Sequence, residues 1–348
     1  MHVVNTSVSK THEIWNFLET DKSLALSVGV LMVIMCPLIV LGNTMIIFVV
    51  WKDPSRNLRS FTSSFILQSL AVADFLVGSV LCPTHSYWSL TTAVGNEPLF
   101  SVHVPLTLNA IFITVSVGHV LLLTIDRLLA LLAPLQYRVK VTNRRVCTVI
   151  CAIWGYALVL GVFHAALASH FVIFDIIYTA QVLVAVSVII CMNIVIMYHF
   201  LKDPSRSENS MHVPIRHFYQ REKNLAKAIA LIVCANVVCF TPWLLIETLL
   251  YLCMLCHPNQ GSLMKGLAFS SILIYIISLL NPLLYSWRLA RFRNSLKHLF
   301  TKSPLRVRHE EPERMEVEEY DTRLYSTYIT HELIGKIPRQ RHRSGAVT

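Results

Sequence analysis

Two acidic residues stand inside stretches that otherwise carry no formal charge: Asp74, in Leu70-Ala71-Val72-Ala73-Asp74, and Asp126, followed at once by Arg127. A lone carboxylate among apolar neighbours is costly to desolvate and must be met by hydrogen bonds or a counter-charge, whereas Asp126-Arg127 brings its own local ion pair. Glu222 offers Arg127 a second, distant partner. The amides Asn43, Asn109 and Asn236 also interrupt apolar stretches and are expected to face protein rather than lipid, because an unpaired amide is costly in hydrocarbon. Four histidines, His85, His103, His119 and His164, are spread over three stretches without ligand-like local spacing, which argues against a metal-dependent hydrolase and against an enzyme altogether.

The elements that must position these groups follow from where the charges are absent. Of 348 residues 54% are apolar and 14% charged, and mean hydropathy is +0.56. An average soluble domain carries about 25% charged residues, so most of this chain is solvated by lipid. Leu24 to Trp51, Pro98 to Ile125, Val146 to Phe174, Ile176 to Leu201, Ala228 to Ile246 and Gly266 to Trp287 carry no formal charge, and Ser60 to Asn96 carries only Asp74. A helix crosses the hydrocarbon core with about 20 apolar residues, so these are seven membrane spans. Asp175, with Ala168-Ser169-His170 nearby, marks the turn between the fourth and fifth. Of the 30 lysines and arginines, all but Lys10, Lys22 and Lys265 fall on one face. The positive-inside rule therefore places the amino terminus outside and the carboxyl terminus in the cytoplasm. The formal net charge of +10 belongs to loops at a membrane surface, which excludes a nucleic-acid partner.

The fold expected is an all-α membrane protein: an extracellular segment 1–23, a seven-transmembrane helix bundle 24–288, an amphipathic membrane-surface helix 289–300 and a tail without fixed structure, 301–348. In the surface helix Leu289, Phe292, Leu296, Leu299 and Phe300 share one side. The first span serves as its own targeting signal, and Asn5-Thr6-Ser7 fits the glycosylation acceptor pattern on the outer face. Pro242 and Pro282 each remove a backbone hydrogen bond within a span and give the sixth and seventh helices hinges.

Taken in order, Gly42-Asn43, Asp74, Asp126-Arg127 closing the third span, Trp154, Cys239-Phe240-Thr241-Pro242 and Asn281-Pro282-Leu283-Leu284-Tyr285 form a recognisable set. Across roughly Leu24 to Phe300 the chain resembles the rhodopsin-like (class A) G protein-coupled receptors. In style it is similar to their melanocortin, lysophospholipid, cannabinoid, adenosine and amine receptor branch. The resemblance implies a plasma-membrane receptor in which Asp126, Arg127, Glu222, Phe240, Pro242, Asn281, Pro282 and Tyr285 form the switch. A lock between Arg127 and Glu222 breaks on activation, and Pro134 and Leu135 begin the loop that meets the G protein. It implies a sodium pocket at Asp74, Ser116, Ser278 and Asn281, with sodium as an allosteric modulator and no other cofactor. A plainly hydrogen-bonded Asp74 is the alternative.

The resemblance also implies a ligand site facing outward, at Asn109, Ile113, Asp175, Phe240, Trp243, Glu247, Ser271 and Tyr275, for a small-molecule, lipid or peptide ligand. Asn109 stands where amine receptors carry an aspartate, which argues against a monoamine ion pair. Tyr275 stands where opsins carry a lysine, so no retinal Schiff base can form. Trp243 and Glu247, four apart, can present an aromatic wall and a carboxylate on one face, or Glu247 can merely cap the helix end. Leu128 replaces the usual third residue after Asp126-Arg127, Phe240 the usual tryptophan, Val102 the cysteine of the usual outer disulfide, and Ile190 the fifth-helix proline. Cys253 and Cys256 are positioned for a local disulfide in the third outer loop. Partners implied are a heterotrimeric G protein, arrestin and a receptor kinase, with Thr322, Ser326, Thr327 and Thr330 as phosphate acceptors, and membrane lipid. The competing readings are a membrane transporter, disfavoured because Asp74 is the one midplane charge and no inverted repeat is visible, and a non-coupling seven-helix scaffold protein.

Overall fold

Helix α1 (Lys22–Lys52) starts where Asp21 can cap it. The Asp21 carboxylate accepts from the Leu24 backbone N–H at 3.1 Å and from Ser23 Oγ at 2.8 Å, which satisfies donors that a helix start leaves open. Lys265 reaches the same carboxylate at 3.0 Å. The computed structural model of the chain describes residues 21–52, 62–101, 103–133, 136–137, 140–166, 171–202, 213–252, 260–288, 292–293 and 295–296.

Six further helices follow. Helix α2 runs as Thr62–Leu76, one wide turn Val77–Leu81, and Cys82–Val94. Then come α3 (His103–Leu132), α4 (Asn143–Ala166), α5 (Phe171–Lys202), α6 (Val213–Leu252) and α7 (Gln260–Arg288). All seven are long and apolar enough to cross a bilayer. The wide turn of α2 has a local cause. Pro83 has no N–H and its ring crowds the preceding turn, and the helix accommodates it with a π-type bond from Cys82 N–H to the Val77 carbonyl. Helix α2 ends at Gly95, whose φ of +85° only glycine adopts freely, with the Gly95 and Asn96 amides donating to Thr92 and Thr91 carbonyls.

Two boundaries differ from the sequence expectation. Asp126-Arg127 does not close the third helix, because α3 continues to Leu132. The ion pair is self-neutralising, so it need not end the helix. Helix α4 ends at Ala166 and α5 begins at Phe171, so Asp175 is inside α5. A single carboxylate one turn into a helix interrupts an uncharged run without interrupting the backbone.

Helix α3 is the axis of the bundle, with 61% of its most apolar window buried, against 17% for α4. The main core joins Ile46, Leu70, Ile113, Leu123, Ile189, Ile232, Phe240 and Ile277 from six helices. A peripheral helix such as α4 gains little from apolar contact in lipid and depends on close packing and interhelical hydrogen bonds. Trp154 Nε1–H donates to Ser69 Oγ on α2 at 3.1 Å, and the same hydroxyl lies 2.8 Å from His119 Nε2 on α3. His119 Nδ1 is 2.7 Å from the Val115 carbonyl, so Nδ1 carries the proton and Nε2 accepts from Ser69. His164 of α4 meets Thr107 of α3 at 2.6 Å, and Tyr156 of α4 donates to Gln181 of α5.

Candidate functional site

The first constellation lies mid-bundle and is built by α1, α2 and α7. Asp74 is 1% exposed. Its two carboxylate oxygens accept from Ser278 Oγ at 2.6 Å and Asn281 Nδ2 at 2.7 Å, so two residues one helical turn apart on α7 hold one side chain of α2. Pro282 follows directly, and because it has no N–H the Ser278 carbonyl loses its helical donor. Asn43 of α1 supplies the replacement: its Nδ2 donates to Ser278 O at 3.0 Å and also to Ile39 O at 3.0 Å. Gly42 eases this approach, since a Cβ there would sit 3.0 Å from the Pro282 ring, tighter than usual contact. The donors around Asp74 are neutral, and the Asn43 and Asn281 Oδ1 atoms are buried with no hydrogen-bond partner among the described residues. Ser116 is buried on α3 and makes no hydrogen bond to Asp74.

The second constellation lies at the far end of α3. Arg127 and Asp126 form an ion pair at 2.6 Å with both side chains 2% exposed. Arg127 Nε donates to the same Oδ2 at 3.0 Å. Ser63 of α2 donates to Asp126 Oδ2 at 2.7 Å and accepts from Arg127 at 2.5 Å. Tyr137, in the loop after α3, donates to Asp126 Oδ1 at 2.7 Å and accepts from Arg127 at 3.3 Å. Every strong site on the carboxylate is thus occupied, as a buried ion pair requires if desolvation is not to exceed attraction.

The sequence of elements and the two constellations coincide with a known family. Residues 42–285 match the 7 transmembrane receptor (rhodopsin family). The chain belongs to that family. It is 23% identical over 312 residues to the dog (Canis lupus familiaris) adenosine receptor A2a, covering 78% of this chain and 71% of that receptor. It is 32% identical over 134 residues to the Drosophila melanogaster muscarinic acetylcholine receptor DM1, covering 38% of this chain and 16% of the relative. With the guinea-pig (Cavia porcellus) histamine H2 receptor it shares 29% identity over 135 residues, 39% of this chain and 36% of the relative. The protein is therefore a multi-pass plasma-membrane G protein-coupled receptor, in a family of receptors rather than enzymes.

Several of the expected ligand-site residues of this rhodopsin-family receptor are packed in the bundle. Ile113, Phe240 and Trp243 are buried in one core cluster, and Tyr275 lies in a neighbouring one with Phe112. Tyr275 Oη is 2.8 Å from His85 Nδ1. Asn109, Glu247 and Ser271 are half-buried, and Ser271 Oγ donates to the Ala268 carbonyl at 2.8 Å. Asn236 is buried, as its desolvation cost requires. Pro242 lies inside a continuous α6, with Thr241 Oγ1 donating back to the Val237 carbonyl at 2.6 Å.

Pro134, Leu135, Val102, Asn5, Cys253 and Cys256 lie outside the described residues, as do the side chains of Asp175, Glu222 and Tyr285, so the Arg127–Glu222 lock does too. Of the surface-helix stretch, 292–293 and 295–296 are described: they are helical, with Phe292 buried and Arg293 exposed. Sequence reasoning missed Ser63, Tyr137, Ser69, the pairing of His85 with Tyr275 and the patching role of Asn43. Asn43 and His85 carried a signal, each a polar side chain in an apolar run. The others are ordinary residue types whose importance arises from a partner on another helix.

Proposed function

We propose that this receptor works by a ligand-driven population shift in which α6 swings at Pro242 and the Arg127 cluster opens toward a heterotrimeric G protein. The observation that carries the reading is the closed state of that cluster, with Arg127 2% exposed and bound to Asp126, Ser63 and Tyr137. An arginine so enclosed can meet another protein only after those bonds part. The amino terminus faces outside, Leu135 adjoins the exposed Arg127 in the active state, Glu222 adds the second lock, and residues 289–300 lie on the inner leaflet. Tail phosphorylation by a receptor kinase recruits arrestin.

The Asp74 pocket is suited to a sodium ion. The support is a buried carboxylate with only neutral donors and, beside it, the unpartnered Asn281 Oδ1. Asp74, Ser116, Ser278 and Asn281 would hold the ion, which supplies the positive charge the pocket lacks. The ligand is uncharged where it meets Asn109. An adenosine receptor, alike over 78% of this chain, fits that reading better than the amine receptors, alike over 38–39%.

The test is ligand-free signalling in cells, read on cAMP, calcium and arrestin recruitment, beside Arg127→Ala at equal surface level. Basal signal that disappears in Arg127→Ala supports the reading. Basal signal unchanged by that substitution overturns the role given to Arg127.

A further inference from the structure

Helix α4 carries two of the described free cysteines, Cys147 and Cys151, and both are exposed. They stand four apart, so their side chains share one face, and Gly155 continues that face one turn further. Helix α4 begins at Asn143, and Arg144 and Arg145 in its first turn are exposed. We propose that the Cys147 thiol is S-acylated, taking a long-chain fatty acyl group from acyl coenzyme A, and that the chain lies along the open strip over Cys151 and Gly155. The site rests on the orientation proposed above, which puts the start of α4 in the cytoplasm, where acyl coenzyme A is supplied.

Depth selects the residue. Exposed arginines at the end of a span sit at headgroup level. At about 1.5 Å of rise per residue, Cys147 lies about 3 Å beyond Arg145 along the helix axis and Cys151 about 9 Å. Cys147 is therefore within reach of a reactant at the membrane surface, the position of ordinary acceptor cysteines, whereas Cys151 is already in hydrocarbon. Among the described cysteines none stands nearer to a basic residue in the chain. The surroundings suit both halves of an acyl coenzyme A. Arg145 is held at the start of α4 by donating through Nη1 to the Lys140 carbonyl at 2.6 Å, and with Arg144 it offers positive charge to the coenzyme's phosphates. The acyl half needs apolar surface that protein does not already cover. Helix α4 is the least enclosed of the seven spans, and a Cβ built on Gly155 would meet no atom within 4 Å. A Cβ on Gly161, further along the same helix, would overlap the Ile111 side chain, so the open strip is distinct from the packed face. The reaction balances without an oxidant or a metal. The cysteine sulfur attacks the thioester carbonyl carbon, the bond from that carbon to the coenzyme's sulfur breaks, and coenzyme A leaves as its thiol with the proton that Cys147 gives up. The product is an uncharged thioester, so its chain carries no charge into hydrocarbon.

The experiment feeds 17-octadecynoic acid, an alkyne-bearing fatty acid, to cells expressing the full-length receptor with an amino-terminal epitope tag. Label on the purified receptor is read before and after neutral hydroxylamine, which cleaves thioesters. The wild-type label should be removed by hydroxylamine and should map to Cys147 by peptide mass spectrometry. Cys147→Ser should lower it about ten-fold at equal receptor amount, and Cys151→Ser by less than about two-fold. An unlabelled wild-type receptor, a label that resists hydroxylamine, or a label undiminished in Cys147→Ser overturns the proposal, and mapping on the wild-type chain decides it even if the variants fail to fold. Antibody staining of unpermeabilised cells keeps this site and the orientation apart. A stained amino terminus on an unlabelled receptor overturns the acylation alone, whereas a tag stained only after permeabilisation overturns the orientation and this site with it.

Discussion

The carboxylates Asp74 and Asp126 are both buried, yet their surroundings differ in kind. Asp126 has a guanidinium at 2.6 Å and two hydroxyl donors, so its charge is closed locally. Asp74 has a hydroxyl and an amide, both neutral, and neighbouring amide oxygens without donors. The first arrangement is complete, and on the mechanism we propose it acts by being opened. The second has no positive charge among its described donors, which is why we propose that it takes up a cation. A membrane interior magnifies the distinction, since breaking a buried pair leaves an uncompensated charge and costs about 3–5 kcal/mol.

Opening the complete cluster should have the largest effect. Asp126→Asn keeps the shape and removes the charge, and ligand-free signalling should rise at least about ten-fold at matched surface expression, since 1.4 kcal/mol suffices for that factor. A receptor that stays at its wild-type basal level would show that this end of α3 is not the restraint. The incomplete pocket should respond to the ion rather than to the switch. In the wild-type receptor, replacing choline chloride by sodium chloride at constant ionic strength should raise the thermal midpoint, and Asp74→Asn should abolish the difference. An equal sodium effect in both would remove the ion from this pocket.

A smaller change comes from trimming one donor of the complete cluster. Tyr137→Phe deletes a bond to a carboxylate in a half-buried position, worth about 1 kcal/mol, and basal signalling should rise roughly five-fold, less than for Asp126→Asn. The reverse order of the two variants would indicate that the phenol, not the ion pair, is the principal restraint. The smallest effect belongs to Asp21, a third carboxylate that is solvent-facing. The Lys265 ammonium, then Ser23 and the Leu24 amide, hold its carboxyl down at about 2. A depressed carboxylate stabilises the fold fully above its ordinary value of about 3.9 and stops doing so as pH falls through its folded value. The midpoint difference between wild type and Asp21→Asn should therefore be constant from neutral to about pH 4 and shrink toward pH 2. A difference that instead grows on acidification would contradict the Asp21–Lys265 pairing.

Both large effects were foreshadowed in the residue order, because Asp74 and Asp126-Arg127 are conspicuous in uncharged runs. The Tyr137 effect was not. Nothing in Gln136-Tyr137-Arg138 separates this phenol from any loop tyrosine until α3 and the following turn bring it against Asp126. Asp175 teaches a related point: its charge marks a break in hydropathy, yet α5 begins before it, at Phe171, while Ala168-Ser169-His170 fall between the two helices.

Seven spans, their order and the two buried carboxylates were decided by the sequence alone, because the cost of placing a charge or amide in hydrocarbon is paid residue by residue and is visible in composition. Pairing was decided only by tertiary structure. Asn43 finds the carbonyl that Pro282 leaves bare 235 positions away, Ser278 and Asn281 find Asp74 across more than 200, and Ser69 joins His119 to Trp154 across three helices. A hydrogen bond depends on distance and angle at the 3 Å scale, and residue order carries no such information until the helices have packed.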